Sequence, residues 1–188
     1  MDRSEKLQTM AFGVPGPGNT HATLDFAVER AGALGIDQMV VSTSTGRTAL
    51  EAAERFSGRV IAVTLSAGHW ERYCPPDPEI IAQLEARDAR VLTGTHTLLG
   101  GIDGGLSSLG GVSAAEIIAR TYYTISQGMK VAVECALMAA DAGELSMDAE
   151  AISIAGTGGG ADTAIIIKPA FSNTFFDLRI REILAMPR

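Results

Sequence analysis

Gln38-Met39-Val40-Val41-Ser42-Thr43-Ser44-Thr45-Gly46-Arg47-Thr48-Ala49 is the stretch on which the fold turns. Five residues that read as a buried strand run into a polar turn, Thr43 to Gly46, and then into a helix from Thr48 to Phe56 with Ala49, Leu50, Ala53 and Phe56 on one face. An apolar run this short, bounded by turn residues and followed at once by 3.6-residue spacing, is the signature of a buried strand feeding a covering helix. The same unit recurs on both sides. Upstream, Leu7 to Phe12 reads as a strand, Gly13 to Gly18 as a turn, and Asn19 or Thr20 caps a helix carrying Leu24, Ala27, Val28, Ala31 and Leu34 until Gly35 stops it. Downstream, Arg59 to Thr64 is a strand, Leu65 to Pro76 a loop, and Asp77 with Pro78 opens a helix carrying Ile80, Ile81 and Leu84.

Arg90-Val91-Leu92 is a short fourth strand, and Thr93 to Val112 a Gly/Ser-rich connection of the kind that is functional or mobile. Ser113 to Glu116 is a capping box for a helix with Ile117, Ile118, Thr121, Tyr122 and Ile125 inward. Gly128 is expected to kink or break it before a second apolar helix from Met129 to Ala142. Ala151 to Ala155 and Thr163 to Lys168 are strands around Gly156-Thr157-Gly158-Gly159-Gly160, and Ser172 to Arg188 is a tail whose apolar residues need cover. Alternating strands and helices predict a three-layer α/β/α fold, a largely parallel sheet with helices on both faces. No linker or composition break divides residues 1–188, so one domain is expected.

Composition bounds the function. The chain is 46% hydrophobic but only 5% aromatic, so Ala, Val, Ile and Leu must build the core, as suits parallel strands covered on both faces. A net charge of −7 argues against a nucleic-acid partner, which needs a basic surface. Two cysteines without a CxxC make neither a disulfide framework nor a metal cage, and a reducing cytoplasmic setting follows. Met1 to Lys6 lacks the apolar stretch of a signal peptide, and no apolar run is long enough to span a membrane.

Ligands of such sheets bind beyond the carboxyl ends of the strands. Three turns there suit an anion. Ser42, Thr43, Ser44, Thr45, Gly46, Arg47 and Thr48 offer hydroxyls, a glycine turn and a planar cation, more than helix capping alone requires. Gly156 to Thr163 formally matches a relaxed dinucleotide fingerprint, with Asp177 downstream, but that motif must open a helix and here a strand follows. What remains is either a backbone nest for an anion or a hairpin turn. Pro15 to Thr20 is weaker and reads by itself as a rigid capped turn. His96 follows a strand and is a candidate proton donor or ligand contact, His69 lies in the preceding strand's loop, and His21 is read as a helix-surface residue. No metal-ligand spacing is present. Lys130 and Glu134, four apart on an apolar helix, read as a structural ion pair.

The order of these loops resembles the C-terminal α/β domain of pyruvate kinase. Val40 to Ala49 looks like that domain's loop for a sugar-phosphate effector, and Ile154 to Gly160 with Asp162-Thr163 its second, glycine-rich effector loop. The sequence is more similar still to a stand-alone family of pyruvate kinase C-terminal-domain-like proteins of unassigned activity. The marks are Asn19-Thr20, Thr93-Gly94-Thr95-His96, Met138 to Gly143, Gly160 to Ala164 and Phe175 to Arg179. The resemblance implies a mostly parallel mixed sheet with a shared core of strand order 3-2-1-4-5, its last strand antiparallel, plus an additional N-terminal strand. It implies flavin mononucleotide (FMN) as cofactor, held by Asn19, Thr20, Ser42 to Thr48, Thr95, His96, Gly156, Thr157, Gly158, Gly159, Asp162 and Thr163. Gly158-Gly159 stands where relatives carry more polar or basic residues, which shifts weight to Arg47. Pyruvate kinase activity is not implied, because a TIM barrel alone takes about 250 residues. The expected function is binding of a flavin or another phosphorylated small molecule. The alternatives are a flavin-dependent oxidoreductase and an oligomeric structural or regulatory domain; a homo-oligomer is expected from the apolar tail.

Overall fold

Every strand found in the sequence pairs into one sheet in the computed structural model, which describes residue 4 and residues 6–188. The strands are β1 (Met10–Phe12), β2 (Gln38–Ser42), β3 (Arg59–Thr64), β4 (Arg90–Thr93), β5 (Ala151–Ala155), β6 (Thr163–Lys168) and β7 (Arg179–Pro187), in the order β1-β7-β6-β5-β2-β3-β4. The run β4-β3-β2-β5-β6 is the expected core order. Within it β6 is antiparallel to β5, and β7 is in turn antiparallel to β6. All other pairings are parallel, so β6 alone runs against the rest.

Period-two alternation distributes the strand side chains between two helical layers. Met39, Val41, Ile152, Ile154 and Ile166 pack with α1 (Thr20–Leu34), α2 (Arg47–Ala53) and α3 (Pro78–Glu85). Val40, Ile61, Val63, Ile165 and Ile167 face the other way, toward α6 (Gln127–Asp141). α6 is apolar almost all round because it lies between the sheet and α5 (Ala114–Tyr123); residues 128–130 and 132–140 are buried.

Several local expectations change. β1 covers only the end of the expected Leu7–Phe12 strand. The Gly/Ser-rich connection contains a helix, α4 (Gly101–Ser108), tied to α5 by a Ser107 hydroxyl that donates to Glu116. Ser113 caps α5 by accepting from the Glu116 amide at 3.1 Å, but the Glu116 carboxylate turns to Ser107 and Arg120. Ile117, Thr121 and Ile125 are exposed rather than inward, because Glu116 and Ala119 take the buried face. Gly128 does not break the helix. The chain turns at residues 124–126, and Ser126 caps α6 by accepting from the Met129 amide at 2.9 Å. The tail is β7: its Leu178 neighbour, Leu184 and Ala185 are buried within the chain, whereas Phe176 stays exposed. Neither cysteine is in a disulfide.

Candidate functional site

β2 and β5 are adjacent and parallel, yet the chain leaves β2 to build β3 and β4 on one side and returns to β5 on the other. Loops from such neighbours diverge and leave a crevice at their carboxyl ends. The loop after β2 and the loop after β5 both open onto it, so Ser44 and Gly158 share one cleft of about 850 Å³. The loops after β3 and β4 supply His69 and His96, and the start of α6 closes the far side with Gln127, Lys130 and Glu134. A smaller hollow of about 230 Å³, between α1, β7 and the N-terminal segment, contains none of the candidate site residues.

Of those residues, Thr20, Ser42, Thr43, Ser44, Thr45, Arg47, Thr48, His96, Gly156, Gly158 and Gly159 line the cleft. Asn19, Gly46, Thr95, Thr157, Asp162 and Thr163 are not among the lining residues. Their roles in the fold are specific. Gly46, at φ 104°, gives up its side chain to α3: a Cβ there would come within 2.8 Å of Ile80 Cγ2. Asp162 is fully buried and its Oδ2 accepts from the amides of Gly16 at 2.8 Å and Thr157 at 3.2 Å, while Oδ1 accepts from the Thr163 hydroxyl at 2.9 Å. The Thr20 hydroxyl accepts from the Ala161 amide at 3.0 Å, and the Asn19 side-chain amide donates to the Val14 carbonyl at 2.8 Å. The weak Pro15–Thr20 turn is thereby welded to the glycine loop, and both are held rigidly at the rim.

One end of the cleft gathers hydroxyls, a cation and a glycine turn. Thr43 Oγ1 accepts from the Gly46 amide at 3.0 Å and Thr45 Oγ1 from the Arg47 amide at 3.4 Å. Each hydroxyl that accepts in this way keeps its own hydrogen to donate. The Arg47 guanidinium is exposed and has no hydrogen bond or ion pair among the described residues. Across from it Gly158, Gly159 and Gly160 all adopt positive φ (72°, 142° and 60°), and no atom would crowd a Cβ at the first two. Backbone conformation therefore requires those two glycines.

The other end is ionisable. Glu134 is fully buried; its Oε1 accepts the amides of Leu98 at 2.8 Å and Leu99 at 3.0 Å, and its Oε2 accepts from Lys130. His96 Nδ1 lies 3.3 Å from the same Oε2. Burial works against ionisation of Glu134, but hydrogen bonding from His96 and the charge of Lys130 outweigh it and bring its pKa down to about 2. The expected i,i+4 pair forms, and it does more than the sequence shows by holding a residue 38 positions away. Nothing in the spacing signals that contact. All three histidines, including the exposed His21 at the rim with Nε2 3.3 Å from Glu51, line this cleft. Sequence reading missed Lys130, Glu134 and Tyr123 as cleft residues; the apolar context of α6 reads as core and conceals its polar end.

The family model described as pyruvate kinase, alpha/beta domain, matches residues 21–167, from the first turn of α1 almost to the end of β6. β1 and β7, the outermost pair on that side of the sheet, lie outside the match.

Proposed function

Given that the chain belongs to the pyruvate kinase alpha/beta domain family, we propose that it binds a phosphorylated small molecule, FMN in particular, in the cleft between β2 and β5, without kinase activity. The observation that carries this reading is Arg47, without a partner among the described residues, beside the Ser42–Thr45 hydroxyls in the one cleft they share with the glycine loop. A phosphate monoester offers three acceptor oxygens, and donors of this kind with a planar cation satisfy them.

The residues fit a flavin in kind. Ligand cavities of roughly 300–1,000 Å³ are usual for cofactor-sized molecules, and this cleft lies within that range. Leu65, Tyr73, Leu99, Tyr123 and Val131 add apolar and aromatic surface to its lining, of the kind a flat ring needs. A bound flavin supplies electron or hydride transfer; the chain's part would be to hold the phosphate and shield the ring from water.

Titration of FMN against the protein, followed by flavin fluorescence, tests the reading. Arg47→Ala should weaken binding about 10-fold or more, the worth of a charge-assisted hydrogen bond, whereas His21→Ala should change it by less than about twofold, as expected of an exposed rim residue. Equal effects at the two positions, or no binding of either FMN or inorganic phosphate, defeat the proposal.

A further inference from the structure

Phosphate binding leaves the ionisable end of the cleft without a role. Its elements are an ionised, fully buried Glu134, Lys130 on the same carboxylate oxygen, and His96 with Nδ1 3.3 Å from that oxygen. Beside them the His69 ring centroid lies 6.0 Å from that of His96, with its Nδ1 2.8 Å from the Ser66 hydroxyl, and Tyr123 packs 5.9 Å from the Lys130 ammonium. His96 Nε2 is buried and has no hydrogen-bond partner among the described residues.

An ionised carboxylate can only accept, so the hydrogen of a neutral His96 belongs on Nδ1 and Nε2 is left with a lone pair. An unpaired buried polar atom costs about 1–3 kcal/mol, and it calls for an explanation when the residue lines a cleft. An imidazole fixed on one nitrogen by a carboxylate and free on the other is arranged to take up a proton.

We infer that His96 is a proton-transfer residue of this cleft, held in its basic tautomer by Glu134 as positioning residue, and that the molecule it acts on is a phosphorylated carbon acid. In the step, a C–H bond next to a carbonyl of the ligand breaks and its electron pair stays on the ligand as an enolate. A new N–H bond forms at His96 Nε2. The resulting imidazolium faces Glu134, which remains ionised throughout. The proton then returns to carbon or exchanges with water. The inference rests on the phosphate end of the reading above and not on the flavin, since a sugar phosphate carries the same monoester.

Two measurements test it. Long-range proton–nitrogen correlation spectra of the uniformly ¹⁵N-labelled protein, with His96 assigned through His96→Gln, should show the Nδ1–H tautomer in the unsubstituted protein. An Nε2–H tautomer overturns the proposal, and this result does not depend on whether a Glu134 variant folds. Dihydroxyacetone phosphate, ribose 5-phosphate and fructose 6-phosphate are then incubated with the protein in D₂O and their C–H signals followed. At least one should exchange; His96→Gln should return it to the buffer rate, and Glu134→Gln should slow it about 10-fold or more, in line with the roughly 10²–10⁴-fold worth of a general base. No exchange above buffer with any of the three, or exchange retained by His96→Gln, overturns it. A parallel titration with inorganic phosphate separates the two ideas: phosphate bound without exchange removes only the base, and exchange without phosphate affinity removes the anion site.

Discussion

At the scale of single residues, Glu134 decides most. With a folded-state pKa of about 2 against an ordinary 4.5, its carboxylate contributes stability that is fully present above about pH 4.5 and is lost as pH falls through 2. Glu116, bonded by Ser107 and Arg120, and Glu144, bonded by Arg90, are also held below the ordinary range, so part of the acid slope is theirs. Thermal melts between pH 7 and pH 2, run on the native chain and on Glu134→Gln, isolate the Glu134 share. The variant should melt lower at pH 7, because Lys130 is left buried without its carboxylate at a cost of about 3–5 kcal/mol. For a chain of this size that corresponds to roughly 6–20 °C. Its melting temperature should also fall less steeply with acid. Parallel pH profiles would show that the Glu134 charge does not contribute.

Elements depend on contacts their own sequence does not contain. Gly128 lies in the first turn of α6 because that turn passes close over β6: a Cβ there would lie 2.6 Å from Thr163 Cβ and 2.9 Å from Asp162 Oδ1. Read locally, a glycine in an apolar helix looks like a break; read in three dimensions it is a close approach. Gly128→Ala improves helix propensity yet should destabilise the protein by about 1–3 kcal/mol through overpacking. Chemical denaturation measures this, and a stabilised variant would refute the packing argument. Conversely, α4 forms from a segment with three glycines, Gly101, Gly104 and Gly105. Its propensity is poor, and the Ser107–Glu116 bond to α5 supplies tertiary support that the pattern could not show.

For the whole molecule, β7 is the critical addition. It separates β1 from β6 and pairs with both, with register irregularities against β6 between Ala164 and Ile165 and between Ile166 and Ile167. Deleting residues 179–188 would leave β6 without a neighbour on one side and uncover Ile165 and Ile167, both fully buried. The truncated chain should lack a cooperative thermal transition by circular dichroism. A transition at the full-length temperature would mean that β7 is dispensable.

The core order of five strands with an antiparallel last member was legible only through the resemblance to a known family; by itself the sequence determined the alternation of strands and helices and the turns that carry hydroxyls and glycines. Those features rest on periodicity, capping residues and positive-φ glycines, all of which act over a few residues. Only the tertiary structure decided which turn residues face the cleft and which, like Asp162 and Gly46, serve as buried ties. It alone joined Glu134 to His96 and gave the tail a place in the sheet. These depend on contacts between distant parts of the chain, where a side chain's role is set by what the fold brings within about 3 Å of it and not by its neighbours in sequence.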